Sequence, residues 1–398
     1  MGDSARTLED FDIHKPGARV SAECLWSQMR DMQGLYRNEK YGGFYVAARY
    51  DDVMKVLMNP QIFGSGKGIT LPPPDTIRSF HIPAEIDPPA HGEYRALMMK
   101  FTTPRAARQR EDFVRGIVLD LLEKIPSGEP VDFVRVFARP LPILVALDLM
   151  RLPASDAPFL EQIVGDLHRE VATGVPTGAS DRLKQFSEGV LERRRSENLK
   201  GDEDLVASIL HGSAFGRPLN PEEQMSMVRQ ILVGGFDTTS AALAAMMHWL
   251  ATSPEDAERL RREPTLMDMA SEEIVRHSSP STYLRREVLE DTQLGGTALK
   301  RGDSVLIAFG SANRDPAKFA CPDRIMADRK PNLHVGFGAG RHRCIGSFIA
   351  KSELRLAFEE ILARFDSFHL DETREIQYTA GLGQGIISLP MLFTRSAA

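Results

Sequence analysis

The chain has 398 residues, and 49 lysines and arginines against 55 aspartates and glutamates give a formal net charge of −6. A mildly acidic chain is not a general binder of nucleic acid or anionic membranes, because such binders carry an excess of basic residues. With 42% apolar and 26% charged residues, the composition is that of a globular protein and excludes a disordered, collagen-like or coiled-coil chain.

The cysteines and the N-terminus indicate a protein of the reducing cytoplasm. Cys24, Cys321 and Cys344 are too few for a disulfide framework, and no Cys-x-x-Cys pair offers a structural zinc site. Residues 1–17 lack the basic and then apolar pattern of a signal peptide. No apolar run reaches the length of about 18 residues that a membrane span needs. We therefore expect a cytoplasmic protein.

The first hundred residues mix short strands and helices. Residues 42–50 alternate in polarity and are rich in aromatic and β-branched side chains, which predicts a strand. Residues 51–60 predict a short helix that ends at Asn59-Pro60. Residues 63–89 are rich in glycine and proline and predict a long loop, and loops of that length usually serve function.

From residue 90 to about 287 the apolar residues recur with the period of a helix. A long helix from about Pro221 to Leu250 is apolar on nearly all sides in its middle, so we expect it to cross the core. Two more helices follow Pro254 and end near His277. The shorter helices predicted before Pro221 span 105–125, 139–151, 154–171, 180–199 and 203–211.

The last third of the chain returns to strands. Residues 286–309 predict strands, residues 310–343 a coil, residues 345–365 a helix and the tail strands again. The prediction is a mainly α fold with small β-sheets, an α+β architecture whose β elements cluster near the two ends of the chain.

The strongest functional signal is a glycine-rich turn that brings one cysteine to the start of a helix, Phe337-Gly338-Ala339-Gly340-Arg341-His342-Arg343-Cys344-Ile345-Gly346. Glycine permits positive φ and lets a flat ligand approach the backbone. A helix N-terminus lowers the pKa of a thiol, and we expect Arg341, His342 and Arg343 to lower that of Cys344 further, giving a thiolate suited to iron. A lone cysteine beside such a turn is more often a buried structural residue. A dinucleotide-binding turn, the other alternative, would need glycine where Arg341 stands.

A second signal lies within the long predicted helix, at Gly234-Gly235-Phe236-Asp237-Thr238-Thr239. Two glycines inside a buried helix cost about 1 kcal/mol each relative to alanine, and they leave room for a ligand beside the helix. Thr238 can donate to a carbonyl one turn back, which opens the helix locally, and Asp237 beside it completes a carboxyl–hydroxyl pair able to relay protons. The alternative is a packing kink with a solvated Asp237.

Charged residues add two weaker signals. Glu273 and Arg276 lie at i and i+3 on a predicted helix, a spacing that by itself usually gives a weak surface ion pair. His91 and Arg95 lie at i and i+4, so both can face one anionic ligand. Without further context each of these cations is more often a solvated surface charge.

Together these segments resemble the cytochrome P-450 (haem-thiolate) family. Residues 337–346 follow its Phe-Gly-x-Gly-x-His-x-Cys-x-Gly loop, residues 234–238 resemble its oxygen-binding helix, and Glu273 with Arg276 resembles its Glu-x-x-Arg. The resemblance runs from about residue 40 to residue 394 and favours soluble bacterial members of the camphor 5-monooxygenase type. It implies one domain over residues 1–398, with residues 1–20 as a poorly ordered arm and haem between the oxygen-binding helix and the Cys-loop helix.

The resemblance also implies roles for individual residues. Cys344 would be the axial ligand of a non-covalently bound haem b, with Asp237 and Thr238 as the acid and the alcohol of oxygen activation. Glu273 and Arg276 would be structural. Other contacts of the haem would come from His91, Arg95, Arg286 (or Arg285), His342, Phe337, Gly338, Gly235 and Ala350. The substrate pocket would be lined by Ser79, Phe80, Gln230, Val233, Gly234, Thr282, Tyr283, Ile386 and Ile387.

The implied activity is hydroxylation of a small, mostly apolar substrate, a terpenoid or a small aromatic compound, with O2 and two electrons. The chain has no flavin or iron–sulfur motif, so the electrons would come from a separate ferredoxin of the 2Fe–2S type and its reductase. Arg341, Arg343 and Lys351 would either present a cationic patch to this partner or be simply solvated. The alternatives are a haem-thiolate peroxygenase or isomerase and a non-enzymatic haem sensor. We expect a monomer.

Overall fold

In a computed structural model of the chain, helices dominate and the strands form small sheets, which confirms the predicted fold class. None of the helices in the described residues combines the length and the apolar character that crossing a bilayer demands. The structure describes residues 8–15, 18–71, 81–173, 175–197, 200–201, 203–379, 383 and 385–396.

The helices follow the apolar periodicity of the sequence. The prediction over residues 105–125 is wrong in one respect, because the chain turns at Gln109 and Arg110 and splits this stretch in two. The apolar period carries across the turn, so the pattern alone does not reveal the break. The helices are α1 Ala18–Asp31, α2 Tyr50–Met58, α3 Ala90–Met99, α4 Pro104–Arg108, α5 Glu111–Glu123, α6 Pro140–Leu149, α7 Ala157–Thr173, α8 Ala179–Ser196, α9 Leu205–Leu210, α10 Pro221–Thr252, α11 Pro254–Arg262, α12 Met267–Ser278, α13 Phe309–Ala312 and α14 Ser347–Arg364.

The largest sheet has the strand order β1-β2-β10-β7-β3, with β2 and β10 parallel and the other neighbours antiparallel. A three-stranded sheet has the order β11-β14-β4, and β5-β6, β8-β9 and β12-β13 form pairs. The strands are β1 Tyr36–Asn38, β2 Phe44–Ala47, β3 Phe63–Gly64, β4 Val131–Asp132, β5 Ser213–Ala214, β6 Arg217–Pro218, β7 Tyr283–Val288, β8 Thr292–Leu294, β9 Thr297–Leu299, β10 Ser304–Ala308, β11 Phe365–Leu370, β12 Gln377–Tyr378, β13 Ile386–Ser388 and β14 Pro390–Arg395.

The N-terminal part of the chain differs from the prediction in two places. Residues 8–15, expected within a poorly ordered arm, are folded, since Phe11 and Ile13 are buried in a core cluster with residues of the largest sheet. The strand predicted over residues 42–50 is shorter, because the backbone N–H of Tyr50 donates to Asp315 Oδ2 at 2.9 Å and starts α2 there. A tertiary hydrogen bond thus decides where this strand gives way to a helix.

The long helix α10 begins with a strong local signal. The side chain of Asn220 accepts from the backbone of Glu223 while the side chain of Glu223 accepts from the backbone of Asn220, and Pro221 occupies the first turn. This reciprocal capping satisfies backbone donors that would otherwise lack partners. The helix then runs without interruption to Thr252, through the glycine pair, and packs against α14.

Candidate functional site

One face of α10 borders an opening at the middle of the helix. Leu232 and Phe236 are buried, but Val233, between them on the helix, is 40% exposed and Gly234 is exposed too. A Cβ built on Gly235 would meet no atom outside the helix within 4 Å. The glycine pair therefore borders open space, as a ligand would need, and does not serve a close helix contact.

Thr238 makes the back-bond expected from its position. Its Oγ1 donates to the carbonyl of Gly234 at 3.1 Å, one turn earlier, although α10 stays helical and is not opened there. Thr238 and Asp237 are both half-buried. Asp237 and Thr238 are thus consecutive residues of the helix, one turn after the glycine pair.

The turn before α14 has the tight geometry that its glycines suggest. Gly338 and Gly340 have φ of +67° and +65°, in the left-handed region that favours glycine. A Cβ on Gly340 would also lie 2.7 Å from the carbonyl oxygen of Leu57. The backbone N–H of Cys344 donates to the carbonyl of Phe337 at 2.8 Å and closes the turn, which we call the Cys loop (residues 337–346).

The predicted low pKa of Cys344 is wrong for the protein described here. Burial raises the pKa of the thiol, whereas backbone N–H groups of Gly346 and Ser347 and the charges of Arg95 and Arg343 lower it without outweighing the lost hydration. The side chain still reaches solvent. A bound cationic metal would therefore be needed to hold the sulfur as a thiolate, since a metal stabilises the deprotonated ligand directly.

Basic side chains from three parts of the chain meet next to the Cys loop. The rings of His91 and His342 are 4.2 Å apart between centroids. Burial, followed by the charge of Arg95, lowers the pKa of His91 to about 4. Burial, followed by the charge of Arg286, lowers the pKa of His342 to about 3, and burial lowers that of Arg286 to about 10. Two arginines beside two buried imidazoles suit an anionic ligand, whose charge would oppose these shifts.

The structure distinguishes the two candidate arginines on β7. Arg285 donates from Nε to Ser304 Oγ at 2.8 Å and from Nη1 to the carbonyls of Lys67 and Gly68 at 3.1 Å. Arg286 instead acts on His342 through its charge, and the charge of Asp87 acts on Arg286. Arg286 therefore belongs to the basic cluster, and Arg285 is committed to the backbone of the loop after β3.

The other expected haem contacts lie around the same loop. Arg95 donates from Nη2 to the carbonyl of Arg343 at 2.7 Å, directly before Cys344. Phe337 and Gly338 form the first part of the loop, and Ala350 is half-buried in the first turn of α14. Ser65, which the sequence does not single out, places its Oγ 3.4 Å from His342 Nε2.

The residues expected to line a substrate pocket are only partly brought together. Gln230, Val233 and Gly234 share the open face of α10, and β13, with Ile386 buried and Ile387 half-buried, packs against the same helix. Thr282 is 2% exposed and donates to the carbonyl of Ser279 at 3.1 Å. Ser79 and Phe80 lie outside the described residues.

Tyr283 is a correction to the expected pocket. Its side chain is fully buried, and its hydroxyl accepts a hydrogen bond from Trp26 Nε1 at 3.0 Å. Its ring also contacts the edge of Phe11. Alternate residues of a strand point to opposite faces, and this one faces the N-terminal cluster, so we do not retain it in the pocket.

Glu273 and Arg276 form the centre of a buried ion network and not a surface pair. Both side chains are 0% exposed, with Arg276 Nε 2.7 Å and Nη2 2.8 Å from the Glu273 carboxylate. Arg276 Nη1 also donates to the carbonyls of Asn313 and Pro322 at 2.7 Å. Arg329, which no sequence pattern marks, donates to the same carboxylate at 2.9 Å. The network fixes the coil that leads into the Cys loop.

Comparisons with known proteins find relatives along most of the chain. The sequence profile of the family described as Cytochrome P450 matches residues 177–391. Linalool 8-monooxygenase of Pseudomonas putida is 29% identical over 365 residues, which cover 87% of this chain and 89% of that protein. Mycinamicin IV hydroxylase/epoxidase of Micromonospora griseorubida is 31% identical, covering 88% of this chain and 89% of that protein. A mutant of P450 EryK in complex with erythromycin B matches with a TM-score of 0.86 at 26% identity, covering 96% of this chain and 98% of that chain.

Proposed function

The chain belongs to the cytochrome P450 family and is a monooxygenase, and from this premise we propose that it hydroxylates a small, mostly apolar organic substrate with electrons from a ferredoxin. The observation that carries the proposal is the opening beside Gly234 and Gly235, on a helix that packs against α14. The one thiol in a glycine turn, Cys344, lies directly before that helix. Ligand space and a metal-binding sulfur are thus held by two packed helices.

Haem, bound through a thiolate, is the cofactor that the family implies, and the residues present fit it. We propose haem b, with Cys344 as its axial ligand. The two propionate carboxylates would be held by a cluster of basic side chains, His91, Arg95, Arg286 and His342. Negative charge would stabilise the protonated forms of these crowded basic groups, and a neutral ligand would not. Bound haem supplies the activation of O2 and the insertion of one oxygen atom into a C–H bond.

Asp237 and Thr238 would hold and move protons on the open side of α10. The hydroxyl of Thr238 donates to the Gly234 carbonyl and keeps lone pairs that can accept from water in the opening. The carboxyl of Asp237 follows it in the chain and can exchange a proton with that water. Their half-buried position supports a relay that is reached by few solvent molecules.

We expect the Thr238→Ala variant to bind haem and substrate but to send electrons to hydrogen peroxide in place of product. Alanine favours the helix, so the change is confined to the hydroxyl and methyl groups of one side chain. A positioned proton-transfer group contributes about 10²-fold or more, so the rate of product formation should fall by about that factor. Product and peroxide are measured per electron consumed. The buried neighbour Thr239→Ala is the matched control, and an unchanged yield in Thr238→Ala would refute the relay.

The pocket supports a small apolar substrate, a terpenoid or a small aromatic compound. Val233 exposes an isopropyl group beside the opening, and β13, which packs against the same helix, would supply Ile386 and Ile387 as the other wall. Apolar walls with few polar groups are usual for such ligands. Gln230 remains the polar group proposed to meet a substrate oxygen, whereas the hydroxyl of Thr282 is buried and donates to the carbonyl of Ser279.

The proposed donor is a ferredoxin of the 2Fe–2S type that meets the protein on the side of the Cys loop. Arg341 and Arg343 are exposed there, as an acidic partner would require. Lys351, expected in the same patch, is instead paired with Glu272 at 2.7 Å and is 25% exposed. The three cysteines are free thiols, which supports the proposed cytoplasmic location. We also propose a monomer of one domain.

Substrate-dependent consumption of O2 tests the function. Reduced ferredoxin with its reductase should drive conversion of a monoterpenoid or small aromatic compound, with one atom of labelled O2 appearing in the product. Turnover that runs on hydrogen peroxide but not on reduced ferredoxin would indicate a peroxygenase. Binding of haem without O2 consumption on any compound would indicate a sensor. Conversion of macrolide-sized compounds alone would contradict the proposed substrate class.

A further inference from the structure

A chain of hydrogen bonds leads from α12 to the Cys loop, and the proposed function does not use it. Glu272 Oε2 lies 2.8 Å from Nε2 of His334, and Nδ1 of the same ring lies 3.1 Å from the backbone N–H of Gly336, which donates to it. The carbonyl of the next residue, Phe337, accepts the N–H of Cys344 at 2.8 Å. A carboxylate on α12 is thus connected, through one imidazole and a short piece of backbone, to the residue that carries the sulfur.

The contacts of His334 fix the orientation of its ring. A backbone N–H can only donate, so Nδ1 accepts from Gly336, while Nε2 faces the carboxylate of Glu272. The His334 side chain is 4% exposed, and its ring centroid is 5.9 Å from that of Phe337. The imidazole is therefore a buried, oriented link between α12 and the segment before the Cys loop.

The second oxygen of Glu272 reaches the other side of the Cys loop. Lys351 Nζ, near the start of α14, lies 2.7 Å from Glu272 Oε1. Burial raises the pKa of Glu272, but the bonds from His334 and Lys351 prevail and lower it to about 2, so the carboxylate is charged near neutral pH. One carboxylate therefore holds both the segment that enters the loop and the helix that leaves it.

The segment that enters the loop has little other freedom. A Cβ on Gly336 would lie 2.7 Å from Val275 Cγ1 and 2.9 Å from the Val275 carbonyl oxygen, so the backbone lies directly on α12. The N–H of Val335 donates to Asn313 Oδ1 at 2.7 Å. The Gly336 N–H and the Val335 carbonyl belong to one peptide, and His334 holds that peptide through the N–H. The Val335 carbonyl accepts from the N–H of Gly338 at 2.8 Å, and that N–H shares a peptide with the Phe337 carbonyl.

From these contacts we propose that Glu272, acting through His334, is a positioning residue that holds the Phe337 carbonyl against the Cys344 N–H and thereby sets the reduction potential of bound haem. This inference rests on the proposed function, in which Cys344 binds the iron. Backbone N–H groups of Gly346 and Ser347 stabilise the charged form of the sulfur, and such groups raise the potential by withdrawing charge from the ligand. A displaced Cys344 would lose part of this stabilisation.

The His334→Phe variant of the haem-loaded enzyme tests the proposal. Phenylalanine keeps a ring at this buried position but neither accepts from Gly336 nor donates to Glu272. We expect the far red-shifted Soret band of the reduced, carbon monoxide-bound form to persist, and the reduction potential to move to a more negative value. The side-chain oxygen of asparagine can still accept from Gly336. The His334→Asn variant should therefore have a reduction potential between those of His334→Phe and the wild type.

His369→Phe is the matched control, because His369 is exposed on β11, away from the loop, and should leave the potential unchanged. An unchanged potential in His334→Phe, with the band present in both proteins, would overturn this inference alone. A wild-type protein without the band would overturn the proposed function and this inference with it. If His334→Phe does not fold, the Glu272→Gln variant keeps the shape of the side chain, and an unchanged potential there would equally overturn the proposal.

Discussion

The Cys344→Ser variant is expected to lose the far red-shifted Soret band of the reduced, carbon monoxide-bound protein, and with it substrate hydroxylation. A serine hydroxyl is far less acidic than a thiol and does not supply the electron density of a thiolate. The substitution adds no bulk at the start of α14, so the fold should persist. Absorbance of the reduced protein with carbon monoxide and the haem content after gel filtration measure the effect.

The other two cysteines provide internal controls for this prediction. Cys24 and Cys321 are exposed free thiols, and serine at either position should leave the band and the activity as they are. The backbone of Cys321 has a φ of +46°, and its carbonyl accepts from Arg329, but neither feature depends on the sulfur. Loss of the band in Cys321→Ser with its retention in Cys344→Ser would refute the ligand assignment.

The Arg276→Met variant is expected to lower the free energy of unfolding by about 3–5 kcal/mol, because the buried Glu273 carboxylate loses one of its cationic partners. It also removes the donor to the carbonyls of Asn313 and Pro322, and unmade bonds to buried groups add to the cost. Since that coil leads into the Cys loop, we expect most of the protein to be recovered without haem. Urea unfolding followed by circular dichroism, and the ratio of haem to protein, give the two readouts.

Lys300→Met is a matched control for the loss of a cation from an ion pair. Lys300 lies 2.7 Å from Asp291, but their side chains are 75% and 60% exposed. Exposed pairs contribute less than about 1 kcal/mol, so this variant should stay close to the wild type in stability and haem content. Equal losses of stability and haem content in the two variants would show that burial of the Glu273 network does not increase its contribution to stability.

The elements that sequence alone predicts well are those with a local cause. The long helix is marked by Asn220, Pro221 and Glu223 at its start and by an apolar middle, and it extends from Pro221 to Thr252. The glycine turn before Cys344 needs positive φ at Gly338 and Gly340, which few other residues adopt. Short-range sterics and capping set these features, so neighbours in sequence carry the information.

Other assignments needed distances across the fold. The choice between Arg285 and Arg286 depends on which side of β7 faces His342, and Tyr283 turned to Trp26 and not to the pocket. The pairing of Lys351 with Glu272 on another helix could not be read from the residues around Lys351.

The sequence by itself determined the mainly α fold class and the family, and it singled out the sulfur, turn and helix of the proposed site, because each rests on residues close together in the chain. Only the tertiary structure decided the ionisation of that site and its supports. Burial raised the pKa of Cys344 and lowered those of His91 and His342, and it enclosed Glu273 with Arg276. The physical reason is that contacts among segments far apart in sequence remove water from these groups. The effect of this lost hydration on their pKa values exceeds that of the charged residues nearby in the sequence.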